Sequence, residues 1–158
     1  MTMSQRNQPL ALMAENERAL ALLYEQYAHQ LPQMAAFWRD PAEEERHHAA
    51  LIASLERATS AATDRSGRFA PEAIRTFTDY LNNQERNARK GITAIAALST
   101  AYYIEIALIE RRFFEQFPQD DPAASRVMSA LRRETESHVR KVRDALPRTG
   151  PSSSHNPG

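Results

Sequence analysis

A carboxylate and an imidazole three residues apart on a helix point from one face and can close on a single metal ion. The stretch "PAEEERHHAALIASL" (41–55) offers that spacing twice, as Glu44 with His47 and as Glu45 with His48. The register of the neighbouring apolar residues separates the two pairs. At about 100° per residue, Glu45 shares an arc with Met34, Trp38, His48, Ala49, Ile52 and Leu55, provided the helix continues through Pro41. Arg46 and His47 fall outside that arc and Glu44 lies at its margin. Glu45 and His48 are therefore the candidate pair, and Glu44 with His47 reads as a decoy.

The same projection finds ionisable residues inside two further apolar stripes. Glu17 shares its face with Leu10, Met13, Leu20, Ala21, Tyr24, Ala28 and Leu31, which makes Tyr24 the candidate catalytic hydroxyl beside it, ahead of Tyr27 and Tyr102. His138 is flanked by Ala124, Val127, Leu131, Val142 and Ala145, with Glu134 one turn before it and Thr135 three residues before it. The stretch "AIAALSTAYYIEIALIERRFF" (94–114) is apolar nearly all round, so periodicity leaves open whether Glu105 or Glu110 points inward.

An isolated buried carboxylate costs several kcal/mol or takes up a proton, so several converging on one core need a shared cation or shared protons. Carboxylates with two imidazoles and no thiolate suit iron or manganese better than a structural zinc site. The chain has no cysteine, which excludes disulfides, iron–sulfur clusters and a thiol nucleophile and fits a reducing compartment. Acidic and basic residues balance at twenty each, leaving no excess charge for a nucleic-acid backbone or an anionic membrane surface. No apolar run approaches the ~20 residues of a membrane span, and "MTMSQRNQPL" has no signal-peptide core; the expectation is a cytoplasmic protein.

The elements that must position these residues are helical. With 158 residues and only four glycines the chain reads as one all-α domain. Helical periodicity runs over roughly 9–31, 33–59, 71–90, 93–117 and 121–146, with polar tails at 1–8 and 148–158. Pro32, "TDRSGRF" (63–69), "KGIT" (90–93) with Thr93 as an N-cap, and "FPQDDP" (117–122) mark the breaks. Asp40, Pro41 and Glu43 read either as a helix start or as a kink. Short connections make the first two and the last two helices antiparallel pairs, joined by a long crossover that contains an additional helix. His29, His47 and His155 are assigned to solvent, and "NNQERNARK" (82–90) to a solvated helix face.

On these residues the chain resembles the ferritin-like superfamily, in particular single-domain rubrerythrin-like proteins, over about 9–147. "NERALALLYEQYAHQLP" (16–32) resembles the family's first helix, with Glu17 seven residues before Tyr24. "FWRDPAEEERHHAALI" (37–52) resembles its second, an aromatic residue and then Glu45, His48 and Ala49, and "AYYIEIALIERRFFEQF" (101–117) its third, with Glu105 following Ile104 and favoured over Glu110. "LRRETESHVRKVRDAL" (131–146) departs from the pattern: Thr135 stands where the family has a glutamate three residues before the histidine.

The resemblance implies a ferritin-like antiparallel four-helix bundle with two irons per chain, manganese or a single metal being the alternatives. The irons would be bridged by Glu45 and Glu105, with Glu17 and His48 completing one and His138 plus a group from the last helix the other. Glu134 is the candidate substitute ligand there, with a water or a single-metal site as the other outcomes of Thr135. The implied activity is oxidation of ferrous iron or reduction of peroxide or dioxygen; without a cysteine-bearing rubredoxin module, electrons would come from a separate donor protein. The rival is a non-enzymatic helical binding or assembly module with a degraded site. A homodimer is expected from the aromatics of "RRFFEQF" (111–117).

Overall fold

The computed structural model describes residues 8–58, 71–110 and 122–147. They form five α-helices: α1 (Gln8–Gln30), α2 (Ala35–Ala58), α3 (Pro71–Arg89), α4 (Ala94–Glu110) and α5 (Pro122–Ala145), with a 3-10 turn at Pro32–Met34. No strand occurs among the described residues, as the all-α reading expected. The aromatic run at 111–117, both chain ends and the "TDRSGRF" loop lie outside the described residues.

α1 is enclosed more widely than an ordinary surface helix. Its exposed positions, Glu15, Arg18, Leu22, Glu25 and His29, step by three or four residues and trace one narrow strip. The rest is covered because α2 and α3 both pack closely on it. α3 is strongly amphipathic. Its Ile74, Phe77 and Leu81 face inward, each contributing about 1.5–3 kcal/mol of burial. Asn16 of α1 donates to Thr78 Oγ1 over 3.1 Å, and the Tyr80 and Tyr103 rings meet edge-on at 5.9 Å to tie α3 to α4. α4 pairs with α5, and α5 lies more loosely along α2.

The breaks follow local chemistry. Pro32 ends α1, and a single tight turn closed by Met34 N–H donating to the Leu31 carbonyl over 2.8 Å leads into α2. Gly91 follows α3 at φ +114°, a conformation that L side chains rarely adopt. Thr93 caps α4 as expected, its Oγ1 accepting from Ala96 N–H over 3.2 Å. Prolines occupy the first positions of α3 and α5, where no helical N–H partner is missed.

Pro41 does not start a helix, contrary to one of its two readings. α2 begins at Ala35 and runs through the proline, so Trp38, Glu45, His48, Ala49, Ile52 and Leu55 are buried from one continuous helix, while Met34 lies in the 3-10 turn before it. No helix among the described residues is long and apolar enough to cross a membrane.

Candidate metal centre

Four helices each aim a polar side chain into the apolar interior. α1 supplies Glu17 and Tyr24, α2 supplies Glu45 and His48, α4 supplies Glu105, and α5 supplies Thr135 and His138, none of them more than 4% exposed. Their placement follows from the stripes: each lies among buried Leu, Ile, Ala or aromatic neighbours on its own helix, so packing those neighbours drives the polar group inward. Glu110 is exposed, which decides the α4 register for Glu105. His29 and His47 face solvent. On α5, Val127 is partly buried and Ala145, in the last turn, is exposed rather than on the inner stripe.

The buried groups form two triads, Glu17 with Glu45 and His48, and Glu45 with Glu105 and His138. Within each triad one ligand atom per residue lies within 4.8 Å of the others. Glu45 belongs to both because its two oxygens face opposite ways. Oε2 lies 3.2 Å from His48 Nδ1, and Oε1 lies 3.0 Å from His138 Nδ1. Glu17 Oε2 stands 3.9 Å from His48 Nδ1 and Glu105 Oε1 3.4 Å from His138 Nδ1. The two imidazoles are roughly parallel, 28° apart in plane with centroids at 6.3 Å. Glu105 enters the second triad only, so Glu45 is the one carboxylate common to both.

Both rings turn Nδ1 inward because Nε2 is held from outside. The Glu134 carboxylate of α5 contacts His48 Nε2, and the Glu44 carboxylate of α2 contacts His138 Nε2. Each helix thus orients the histidine of the other, the arrangement that fixes a ligating imidazole. Glu134 is brought to the rear of His48 and into neither triad. Glu44, set aside in sequence as part of a decoy, is the residue that reading missed. The available signal was a repeated spacing, glutamate four residues before histidine on both helices. Tyr24 donates its phenolic hydrogen to Glu105 Oε1 over 2.5 Å. Thr135 sits on the inner face, yet its hydroxyl donates to the Leu131 carbonyl of its own helix over 2.8 Å and is satisfied there.

The electrostatics are those of a site with too few cations. Burial, with the Glu45 charge adding, holds the Glu17 carboxyl well above the usual carboxylate range. Burial also raises Glu105, against hydrogen bonding from His138. Burial acts the same way on Glu45 but is outweighed by hydrogen bonds from Glu17, His138 and His48, and that carboxyl is held below its usual range. Burial would lower both histidines, but Glu17 and Glu45 push His48 up to about 11, and Glu105 and Glu45 push His138 up to about 12. Without metal, two imidazolium ions supply the positive charge, His48 donating from both nitrogens to Glu45 and Glu134 and His138 from Nε2 to Glu44.

Even so the cluster is incompletely satisfied. Glu17 Oε2, Glu45 Oε1, Glu105 Oε2 and His138 Nδ1 are buried without an aligned hydrogen-bond partner among the described residues. Such orphaned groups cost about 1–3 kcal/mol each, and four of them spread over the two triads fit bound cations better than a proton network. The oxygen and imidazole donor set fits iron or manganese. Comparison with family models, characterised proteins and solved structures returns no match for this chain.

Proposed function

We propose that the chain is a non-haem di-iron carboxylate protein of the rubrerythrin and ferritin-like type, which oxidises ferrous iron or reduces peroxide or dioxygen at the bundle core. What carries the reading is Glu45, whose two oxygens each face a different inward-turned imidazole, with Glu17 and Glu105 flanking the outer sides. Glu17, Glu45 and His48 would hold one ion and Glu45, Glu105 and His138 the other. Two bound irons would supply paired electrons to one oxidant molecule, chemistry that no side chain offers.

The protein's own part is orientation and proton placement. Glu44 and Glu134 keep Nδ1 of each histidine pointing inward, and Tyr24 anchors the Glu105 carboxylate while keeping its phenol in the protonated form, held there by burial and the Glu105 and Glu45 charges. The surrounding Trp38, Ile52, Ile104 and Leu131 exclude bulk water. Electrons for a peroxidase cycle would come from a separate donor protein.

A second reading is favoured by Thr135, which removes one carboxylate from the core: a helical binding or assembly module that keeps one metal or none. Metal content per chain decides between them, measured by mass spectrometry after anaerobic loading with ferrous iron and desalting. A value near two supports the redox centre, near one a degraded site, and near zero the module without metal.

A further inference from the structure

Pro41 has no N–H, so the carbonyl of Phe37, four residues earlier in α2, loses its helical donor. The replacement comes from α5: Lys141 Nζ donates to Phe37 O over 2.9 Å and sits 4.6 Å from the Phe37 ring centroid. Between the two helices at this point lies a cleft of about 200 Å³, its open mouth included. Phe37, Trp38, Pro41 and Lys141 line it, and it reaches Glu105 and His138. The outer residues Phe37 and Lys141 are partly exposed, whereas Trp38, Glu105 and His138 are buried. The cleft therefore runs from the surface to the second triad.

Trp38 is fully buried on the wall of this cleft, and its indole N–H has no acceptor among the described residues. A buried donor without a partner is uncommon enough to ask what satisfies it. Phe37, Pro41 and Val142 make the walls apolar, Tyr24, Glu105 and His138 are the polar residues of the lining, and the Lys141 ammonium repels metal cations. The enclosed part of the cleft is on the order of one water molecule in size.

We propose that this cleft is the port and holding site for a small neutral oxygen-bearing ligand bound for Glu105 and His138, with the Trp38 indole N–H as its hydrogen-bond donor and Lys141 as the latch across its mouth. The role at Glu105 and His138 rests on the metal-centre reading; the latch does not. Because the carbonyl that holds the latch is free only on account of Pro41, the two residues act as one device. Restoring the helical N–H at position 41 makes the Lys141 contact redundant.

The chain has a single tryptophan, so fluorescence quenching by acrylamide reads access to Trp38 directly in the metal-free full-length protein. Lys141→Met keeps the aliphatic stem and removes the donor. It is expected to raise the bimolecular quenching constant about fivefold, the equilibrium factor for losing one ordinary hydrogen bond. Pro41→Ala is the second variant: in that background Lys141→Met should change quenching little. Association of nitric oxide with the ferrous-loaded protein, followed by stopped-flow absorbance, should follow the same order at equal iron content.

Equal quenching in the parent and Lys141→Met overturns the latch, as does an undiminished effect of Lys141→Met in the Pro41→Ala background. Quenching that follows the expected order with unchanged nitric oxide association overturns the port. A chain that takes up no iron removes the metal reading and with it the port, while the quenching series still decides the latch.

Discussion

Glu45 and Thr135 occupy corresponding positions, three residues before a buried histidine on α2 and α5, yet Glu45 reaches both imidazoles and Thr135 reaches only the Leu131 carbonyl of its own helix. The site therefore has one shared carboxylate where two could stand. Thr135→Glu should supply the second. The expected result is tighter retention of the second metal, by about tenfold or more, the scale on which single groups around a metal act. The same variant should melt at a lower temperature without metal, because another carboxylate is buried at a position now 3% exposed. Competition with a chromophoric chelator reads the first effect and a thermal melt of the stripped protein the second; unchanged retention would show that Thr135 does not limit the site.

Metal uptake should release protons. His48 and His138, pushed up to about 11 and about 12, carry protons at neutral pH and must lose those on Nδ1 to bind an ion. Affinity is expected to rise by about tenfold per pH unit for each imidazole proton displaced. The metal-free protein should show the opposite trend. Histidines raised from 6.5 contribute stability that is complete below pH 6.5 and lost as pH climbs toward 11–12. The raised Glu17 and Glu105 likewise lose their contribution as pH rises, and the lowered Glu45 loses its own as pH falls below 4.5. Stability without metal should therefore peak in mild acid and decline toward alkaline pH. Calorimetric titration in buffers of different ionisation enthalpy measures the released protons, and an absence of release at pH 7 contradicts the protonated imidazoles.

What could be read in the sequence was any polar residue set within an apolar stripe, since the neighbours that bury it lie on the same helix. Glu17, Glu45, His48 and His138 are of this kind. α4 carries no such periodicity, because its stretch is apolar on every side; the resemblance favoured Glu105, and the structure has Glu105 buried and Glu110 exposed. The contacts of Glu44, set aside as a decoy, and of Glu134, expected as a ligand beside His138, were hidden for the opposite reason. Both carboxylates are about half exposed, and the partner of each lies on the other helix. The Phe37 carbonyl that Pro41 leaves without a helical donor is served in the same way by Lys141, 104 residues beyond Phe37, which no local pattern reports.

The crossed pairs predict crossed effects. Glu134→Gln, on α5, should weaken metal binding at the His48 triad, and Glu44→Gln, on α2, at the His138 triad, each by about 10–100-fold. The imidazole resonances of the metal-free protein separate them: Glu134→Gln should move those of His48 and leave those of His138, with the reverse for Glu44→Gln. Both carboxylates being near half exposed, global stability should fall by no more than about 1 kcal/mol. Equal perturbation of both histidines by either variant would mean that the pairs are not specific.

Glu45→Ala and Glu17→Gln should differ in the size of their consequence although both remove a buried carboxylate. Repulsion among carboxylates alone would make Glu45→Ala stabilising in the metal-free chain. The structure reverses that expectation, because Glu45 is the ionised group between two imidazolium ions, and its loss leaves buried charge less well paired. Breaking a buried pair in this way costs about 3–5 kcal/mol. Burial and the Glu45 charge raise the Glu17 carboxyl and so favour its protonated form, which the amide of Glu17→Gln resembles in size and hydrogen-bonding capacity. Thermal or urea melts of stripped protein near pH 6 should show a large loss for Glu45→Ala and a change within about 1 kcal/mol for Glu17→Gln. Iron content after loading should fall in both, to near zero for Glu45→Ala, because Glu45 serves both triads, and by about half for Glu17→Gln, because Glu17 serves one. Matching stability losses in the two variants would place the ionised carboxylate elsewhere in the cluster and reassign the shared ligand.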